Sequence, residues 1–390
     1  MNLSETLALL RNKVDSINII TEDKGHLDHP EDMIFLGGTE SRPQTATVLA
    51  KQALQAAMDT VNNPKAVTIK WDGYPALIFG RNSNGKFSIL DKHMFNKKDG
   101  SGRQVFSPEQ FVQYDQARGV NRSDLHQIIA QVWPGLEKSD RSKGYYWGDL
   151  LFSKPLVEKN GLYTFKANPK GITYTVDANS DLGKFLDGKN SGIVVHGYIP
   201  PDAVITDQVT PLNGTIGNLQ NNSDVAILQA KMPITPNLKL NPTLFKKAQA
   251  TVEKYSPAVE QLMSNAPQAR SSFNLLFTTY INKRIVAGNL NDLYPGFIEY
   301  VNTRPMTDKM REKITQHLAA NKAGLVGAFS IWVAIYNLKM NVVDQLNKAA
   351  KSSPVQGYLD NGTNTQEGFV SHGLKFVDRM GFSRQNLAGR

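Results

Sequence analysis

The residue pattern of this chain changes twice along its length, and the two changes constrain the fold. Residues 66–204 contain short apolar or alternating runs separated by Gly, Asn and Asp, a pattern that predicts β-strands. In residues 244–349 the apolar spacing predicts several helices instead, with breaks at Pro257, Pro267, Gly288, Pro295, Pro305 and residues 321–324. Strand character returns at residues 366–377. This order predicts an α+β protein in which a large helical insertion interrupts a β-rich core.

The N-terminal residues also have a helical pattern. Five apolar side chains near the start follow helical spacing (Leu3, Leu7, Leu10, Val14 and Ile17), and residues 45–61 form an alanine-rich helical pattern. We therefore expect four segments along the chain. They are an N-terminal helical segment that packs on the core (residues 1–63), the β-rich core (64–235), the helical insertion (236–355) and the final strands of the core (356–390).

The composition excludes several classes of protein. The chain has 390 residues, 40% of them hydrophobic, and no cysteine, which excludes disulfides, cysteine–zinc sites and thiol catalysis. The N-terminus has an early acid and no apolar core of a secretory signal, so we expect a cytoplasmic protein. The apolar stretch 324–346 is interrupted by Ser330, Asn337 and Lys339, which favours a buried helix over a membrane span.

The positive charge is concentrated in one segment. The net charge is +9, and residues 235–355 contain 15 Lys or Arg against 7 Asp or Glu. Lysines and arginines bind nucleic acid by releasing counterions from its phosphates, so this segment is a candidate grip on a polynucleotide. A solvated basic face remains the alternative.

One short motif points to covalent chemistry. Lys70-Trp71-Asp72-Gly73 follows the apolar run 66–69, which places a lysine and a carboxylate at the end of a strand and before a tight turn. A lysine becomes a nucleophile when its surroundings lower its pKa or hold it against an electrophile. The motif therefore makes Lys70 a candidate nucleophile.

Further candidate site residues follow in order. Lys92 lies just beyond the predicted hairpin 77–90, and Asp149 is a single carboxylate in an otherwise apolar strand, where a charge must pair or bind metal. His196 is the polar exception in the predicted strand 191–198. Glu367 opens one late strand and Lys375 lies within the next, so both can face one pocket.

A second polar cluster lies near the N-terminus. His26, His29, Glu31 and Asp32 occur within seven residues, and these residue types bind metals. Capping of the turn that precedes a helix explains the same residues, and both readings stay open.

Taken as an ordered set, the motifs resemble those of the covalent nucleotidyltransferases, the superfamily of ATP-dependent DNA and RNA ligases and mRNA-capping enzymes. The resemblance covers residues 65–205 and 360–390. It is closest to the uncharacterised Lys-Trp-Asp-Gly proteins of large tailed bacteriophages, which also carry a His-Leu-x-His-x-Glu-Asp stretch like residues 26–32. The resemblance implies an antiparallel, β-rich adenylation domain of two sheets with the nucleotide between them.

The resemblance also implies a role for each candidate. Lys70 would carry AMP, Asp72 and Gly73 would shape its turn, and Lys92 would lie near the ribose. Lys375 would hold the α-phosphate. The remaining residues would complete the nucleotide site: Glu367 and Asp149 as ligands of Mg²⁺, for which Mn²⁺ can substitute, and His196 near the purine.

These expectations describe an ATP-dependent polynucleotide ligase of DNA repair that acts as a monomer in a phage-infected bacterial host. Nicked duplex DNA is slightly favoured over RNA as its substrate. NAD⁺ is disfavoured as the AMP donor because the zinc module of NAD⁺ ligases needs cysteine. We expect no C-terminal OB domain after Lys375, and the basic helices would replace it as the clamp. The alternatives are an RNA ligase, a capping-type guanylyltransferase, or a nucleic-acid-binding protein with an inactive nucleotide pocket.

Overall fold

The fold is α+β and combines three small β-sheets with a large helical region. The computed structural model describes residues 27–39, 42–71, 73–167, 172–232, 234–267, 270–359, 362–364 and 366–383. The predicted helix around Leu3–Ile17 and the candidates His26 and Asp72 lie outside these residues.

Ten α-helices occur in the described ranges: α1 (Ala46–Asn62), α2 (Lys92–Phe95), α3 (Pro108–Ala117), α4 (Ser123–Ser139), α5 (Asp181–Leu186), α6 (Pro242–Ser264), α7 (Arg270–Val286), α8 (Leu293–Thr303), α9 (Asp308–Ala320) and α10 (Lys322–Ala350). A 3₁₀ helix, Pro30–Phe35, precedes them, and a π-helical turn, Arg379–Ser383, follows the last strand. The predicted helix at residues 45–61 is confirmed by α1.

The strands that the structure describes form three sheets. They are β1 (Thr68–Ile69), β2 (Ala76–Arg81), β3 (Phe87–Leu90), β4 (Gly144–Phe152), β5 (Glu158–Lys159), β6 (Leu162–Lys166), β7 (Thr173–Asp177), β8 (Ser191–Ile199), β9 (Thr210–Pro211), β10 (Val225–Gln229), β11 (Val355–Tyr358), β12 (Phe369–Ser371) and β13 (Leu374–Phe376). Sheet A has the order β1-β12-β13, sheet B β10-β8-β4-β2-β3 with β9 on β8, and sheet C β11-β7-β6-β5. Pairing is antiparallel except between β10 and β8.

Sheet A joins segments that are about 300 residues apart in sequence. Thr68 pairs with Val370, and Val370 with Lys375. The neighbouring positions Ile69 and Phe369 are buried in the main hydrophobic core. Thr68, Val370 and Lys375 are half-buried. Alternation along short strands therefore gives sheet A one core face and one partly open face.

Sheet B separates two hydrophobic clusters. Ile193 and Val195 pack in a cluster with apolar residues of α3 and α4, while the intervening Val194 packs in the main core. Sheet C covers another part of that core with Tyr174, whose ring centre lies 4.8 Å from that of Trp71. Sheets A and B meet where Ile69 donates a backbone hydrogen bond to Ala230 (2.7 Å).

The helical region shares the main core with sheets A and C. The N-terminus of α1 contacts α6 through the Thr47 N–H, which donates to Glu260 Oε1 (2.8 Å). Pro257 was expected to break a helix, but α6 continues through it. A proline inside a helix removes one backbone hydrogen bond. Here packing between α6 and α10 holds the helix together, with Gly324 and Gly327 allowing close approach to Ala258 and Tyr255.

A buried ion network connects the 3₁₀ helix, α10 and the end of the chain. Lys339 Nζ of α10 lies 2.6 Å from Glu31 Oε1, and Arg379 Nη1 lies 2.8 Å from Asp32 Oδ1. The indole N–H of Trp332 also donates to Asp32 Oδ1 (2.8 Å). Lys339 and Glu31 are completely buried, and burial lowers the pKa of Lys339. Each charge therefore depends on its partners.

The helix α10 is a core helix. Among the described residues it alone is long and apolar enough to cross a membrane by length and composition, and 61% of its most apolar window is buried inside the protein. It packs against α6, α1 and the 3₁₀ helix. This burial agrees with the expected buried helix at residues 324–346.

Replacing Lys339 with Met should destabilise the protein strongly. The substitution leaves Glu31 buried without its cation, and breaking a buried pair in this way costs about 3–5 kcal/mol. Urea unfolding measures the difference. The matched control is Lys348→Met on the exposed side of the same helix, which should change stability by less than about 0.5 kcal/mol. Equal stability of the two variants would contradict the structural role of the network.

Candidate active site

Lys70 follows directly after β1 and lies against the loop that leads into β12. Its backbone N–H donates to the carbonyl of Gly368 (2.9 Å), and its Nζ pairs with Oε1 of Glu367. The Lys70 side chain is 27% exposed and that of Glu367 only 7%. The lysine is therefore reachable from solvent, while its carboxylate partner is nearly enclosed.

Lys70 and Lys375 belong to the same face of sheet A. Thr68, Val370 and Lys375 form one row across the sheet, and Lys70 lies two residues beyond Thr68 beside Gly368. Side chains two residues apart in extended chain share a face. The partly open face of sheet A therefore carries two lysines, one on each side of β12.

Glu367 has one oxygen that is suited to a metal ion. Its Oε2 is buried and makes no hydrogen bond to the part of the chain that the structure describes. Mg²⁺ typically binds one or two carboxylates together with nucleotide phosphates and water. Glu367 therefore fits a role as a ligand of nucleotide-bound Mg²⁺. No group of three His, Asp or Glu side chains in the described ranges is placed to hold a metal ion without such a nucleotide.

Gly73 brings the lysine segment against sheet B. A Cβ on Gly73 would lie 2.6 Å from the carbonyl oxygen of Leu150 and 2.8 Å from Cβ of Asp149, so only glycine permits this approach. The next residue, Tyr74, donates its N–H to the carbonyls of Leu150 and Ala167, each at 3.0 Å. Residues 73 and 74 are thus fixed between β4 and the residue that follows β6.

Asp149 and His196 form a pair on sheet B. His196 Nε2 lies 3.3 Å from Asp149 Oδ2, at a bulge in the β4–β8 pairing, and both side chains are partly exposed. Lys92 Nζ lies 5.3 Å from the ring centre of Trp147, a position two residues before Asp149 on the same strand face. Sheet B therefore presents a carboxylate, an imidazole and an indole, and Lys92 of α2 lies over the indole.

The helix that carries Lys92 is held by an ion network. Asp91 caps α2 by accepting from the N–H of Met94 (2.7 Å), and its other oxygen accepts from Arg122 (2.8 Å). Arg122 also bonds the fully buried Asp115. Although burial raises the pKa of Asp115, hydrogen bonds from Arg122, His126 and Arg118 hold it at about 2. These ion pairs fix the start of α2.

The structure thus groups the predicted residues into two clusters. Lys70, Glu367 and Lys375 lie on sheet A, and Lys92, Asp149 and His196 lie on or beside sheet B. Gly73 touches Asp149. Three Cα–Cα steps separate Lys70 from Gly73, so the two backbones are at most about 11 Å apart.

Two residues of the N-terminal motif belong to the buried ion network. Glu31 forms an ion pair with Lys339, and Asp32 forms one with Arg379. His29 occupies the cap position of the 3₁₀ helix, but its side chain makes no capping hydrogen bond. Sequence reasoning did not connect His29 with the lysines. The pairing of Asp28 with Leu374 places this segment beside β13.

The comparisons with known proteins give a family but no function. The α+β fold carries a solvent-accessible lysine against a buried glutamate, with a second lysine on the same sheet face. Residues 24–390 match a family of unknown function, DUF6267, and the chain belongs to this family. No curated protein and no solved structure matches the chain.

Replacing Asp115 with Asn should destabilise the protein at pH 7 by about 2 kcal/mol, because hydrogen bonds to a charged group are lost. The pKa of about 2 in the folded protein lies below the ordinary value of 3.8. The stabilisation is therefore complete above about pH 4 and is lost as the pH falls towards 2. Urea unfolding of both proteins at several pH values checks this. The exposed control Asp124→Asn should change the free energy of unfolding at pH 7 by less than about 0.5 kcal/mol.

Proposed function

We propose that this protein is an ATP-dependent polynucleotide ligase that works through a lysyl-AMP intermediate on Lys70. The observation that carries the proposal is the position of Lys70. It is accessible, follows a strand, pairs with the nearly enclosed Glu367 and shares a sheet face with Lys375. A covalent nucleotidyl transfer needs a nucleophilic amine and cations that bind the α-phosphate, and the placement of Lys70 and Lys375 on one sheet face supports assigning them these roles.

The proposed reaction has three steps. The amine of Lys70 attacks the α-phosphorus of ATP, a P–N bond forms, and pyrophosphate leaves with the electrons of the broken P–O bond. A 5′-phosphate then attacks the AMP phosphorus and releases the lysine. Finally a 3′-hydroxyl attacks the activated 5′-phosphate and AMP departs, which seals the strand. Bound Mg²⁺ would neutralise the phosphate oxygens, and Glu367 and Asp149 are its proposed ligands.

The nucleotide would lie between the two clusters. Lys375 would hold the α-phosphate on sheet A, and Lys92 would contact the ribose from sheet B. Trp147 and His196 expose planar rings on the same sheet, and either ring can stack on a purine. Under this proposal the β-rich part of the chain is a nucleotidyltransferase domain, and the turn at residues 72 and 73 shapes the lysine's approach.

The polynucleotide would be held by the basic helices. Lys246, Lys247 and Lys254 on α6 are exposed, within the segment that carries most of the net charge. Contacts between lysines and backbone phosphates give affinity for nucleic acid without sequence preference. Nicked duplex DNA is the favoured substrate, and the enzyme is proposed to act as a monomer in the cytoplasm.

Incubation with α-labelled ATP and Mg²⁺ should leave covalent label on the wild-type protein. Lys70→Ala should give none, because the nucleophile is missing. Denaturing gels and peptide mass spectrometry measure the label and its position. Lys65→Ala removes an exposed lysine five residues earlier and should retain full labelling.

The same experiment separates the alternatives. Label from GTP alone would indicate a capping-type guanylyltransferase, and sealing of nicked RNA but not DNA would indicate an RNA ligase. Absence of label from any nucleotide would refute the enzyme and leave a nucleic-acid-binding protein.

Replacing Lys247 and Lys254 with Gln should weaken binding to nicked duplex DNA and make its salt dependence shallower. Each lost phosphate contact lowers the slope of log K against log salt by about 0.9. Fluorescence anisotropy at several salt concentrations measures this slope. The charge-matched control replaces Lys143 and Lys184, two exposed lysines outside the helical region. Equal slopes for both variants would rule out the α6 clamp.

A further inference from the structure

His29 lies on the same face of sheet A as the two lysines. Asp28 pairs with Leu374 in parallel, and its carbonyl accepts from the N–H of Lys375 (2.8 Å). His29 has extended backbone angles, φ −84° and ψ 138°. One residue further along both segments, His29 therefore lies opposite Lys375. Both residues are on the partly open face of sheet A, which also carries Lys70.

The imidazole of His29 has an unused nitrogen. Its Nδ1 is buried and makes no hydrogen bond to the part of the chain that the structure describes. Buried polar atoms are nearly always hydrogen-bonded, and a bound ligand is one reason for an exception. The helix-capping role that the position suggests is not used, since His29 makes no side-chain cap bond.

Four basic side chains act on His29. Burial, and then the charges of Arg379, Lys339, Lys375 and Lys70, hold its pKa well below the ordinary value of 6.5. Arg379 and Lys339 are balanced by Asp32 and Glu31. A neutral imidazole can donate one N–H here without adding another positive charge. The group that this combination suits is an anion between the lysines and the histidine.

We propose that His29 is a phosphate-binding residue whose Nδ1–H donates a hydrogen bond to a phosphate oxygen of the bound nucleotide. Lys70, Lys375 and His29 would then contact the phosphates together from one sheet face. The inference rests on the proposed function for the identity of the nucleotide. The anion site itself can be tested without any covalent reaction.

The probe is inorganic pyrophosphate, which contains the phosphate groups but cannot form a lysyl adduct. In full-length protein with ¹⁵N-labelled histidine, pyrophosphate should shift the ring nitrogens of one histidine, and that signal should be missing in His29→Asn. His29→Leu removes the donor and should weaken pyrophosphate binding about tenfold. His29→Asn keeps an N–H donor and should stay within about threefold of wild type.

The matched control is His372→Asn in the exposed turn between β12 and β13. His372 has a φ of 51°, a conformation that asparagine tolerates, so this variant should bind pyrophosphate normally. Unchanged pyrophosphate affinity in His29→Leu would overturn the proposal. If that variant does not fold, wild-type ring nitrogens that do not respond to pyrophosphate would overturn it equally.

The proposal and the proposed function fail in different ways. If wild-type protein forms no lysyl-nucleotide but His29 responds to pyrophosphate, the anion site stands and the ligase assignment falls. Suppose instead that label forms on Lys70, and that His29→Leu is labelled at the wild-type rate with the same dependence on nucleotide concentration. The ligase assignment then stands and the role of His29 is refuted.

Discussion

The buried network of Glu31, Asp32, Lys339 and Arg379 is the constraint on which the rest of the structure depends. It joins the first described segment, the longest helix and the residues after the last strand. Charges without water are stable only as a complete set, so these segments must come together in one arrangement. The network therefore favours a unique position for the helical region relative to sheet A.

This constraint explains how such short strands can build a site. β1 has two residues, and β12 and β13 have three each, so their own ladder hydrogen bonds are few. Their position comes from contacts on either side, with α1 bonding Ser371 through Thr60 (3.0 Å) and the 3₁₀-helix segment continuing the sheet beyond Lys375. The helical region thus supports the partly open face of sheet A, regardless of what that face binds. Removing the helical region would expose the main core.

Local sequence patterns predicted the helices and strands, but they did not predict which distant segments pair. The helix at residues 45–61 and the strand around Asp149 were visible because periodicity is a property of neighbouring residues. The break expected at Pro257 was wrong because packing against α10 outweighs one lost hydrogen bond. Glu31 and Lys339 lie more than 300 residues apart, and nothing in either segment indicates the partner. The position of His29 follows from the register between Asp28 and Leu374, which the sequence does not reveal.

In the proposed reaction the Lys70–Glu367 pair has two tasks. An ammonium is not a nucleophile, so a proton must leave Nζ before the amine can attack phosphorus. Glu367 Oε1 is the group that the structure places at that nitrogen, and its Oε2 lacks a partner among the described residues. In the proposed reaction Glu367 Oε1 would accept that proton as a general base. The same glutamate would thus hold Lys70 in the resting enzyme and activate it for the attack.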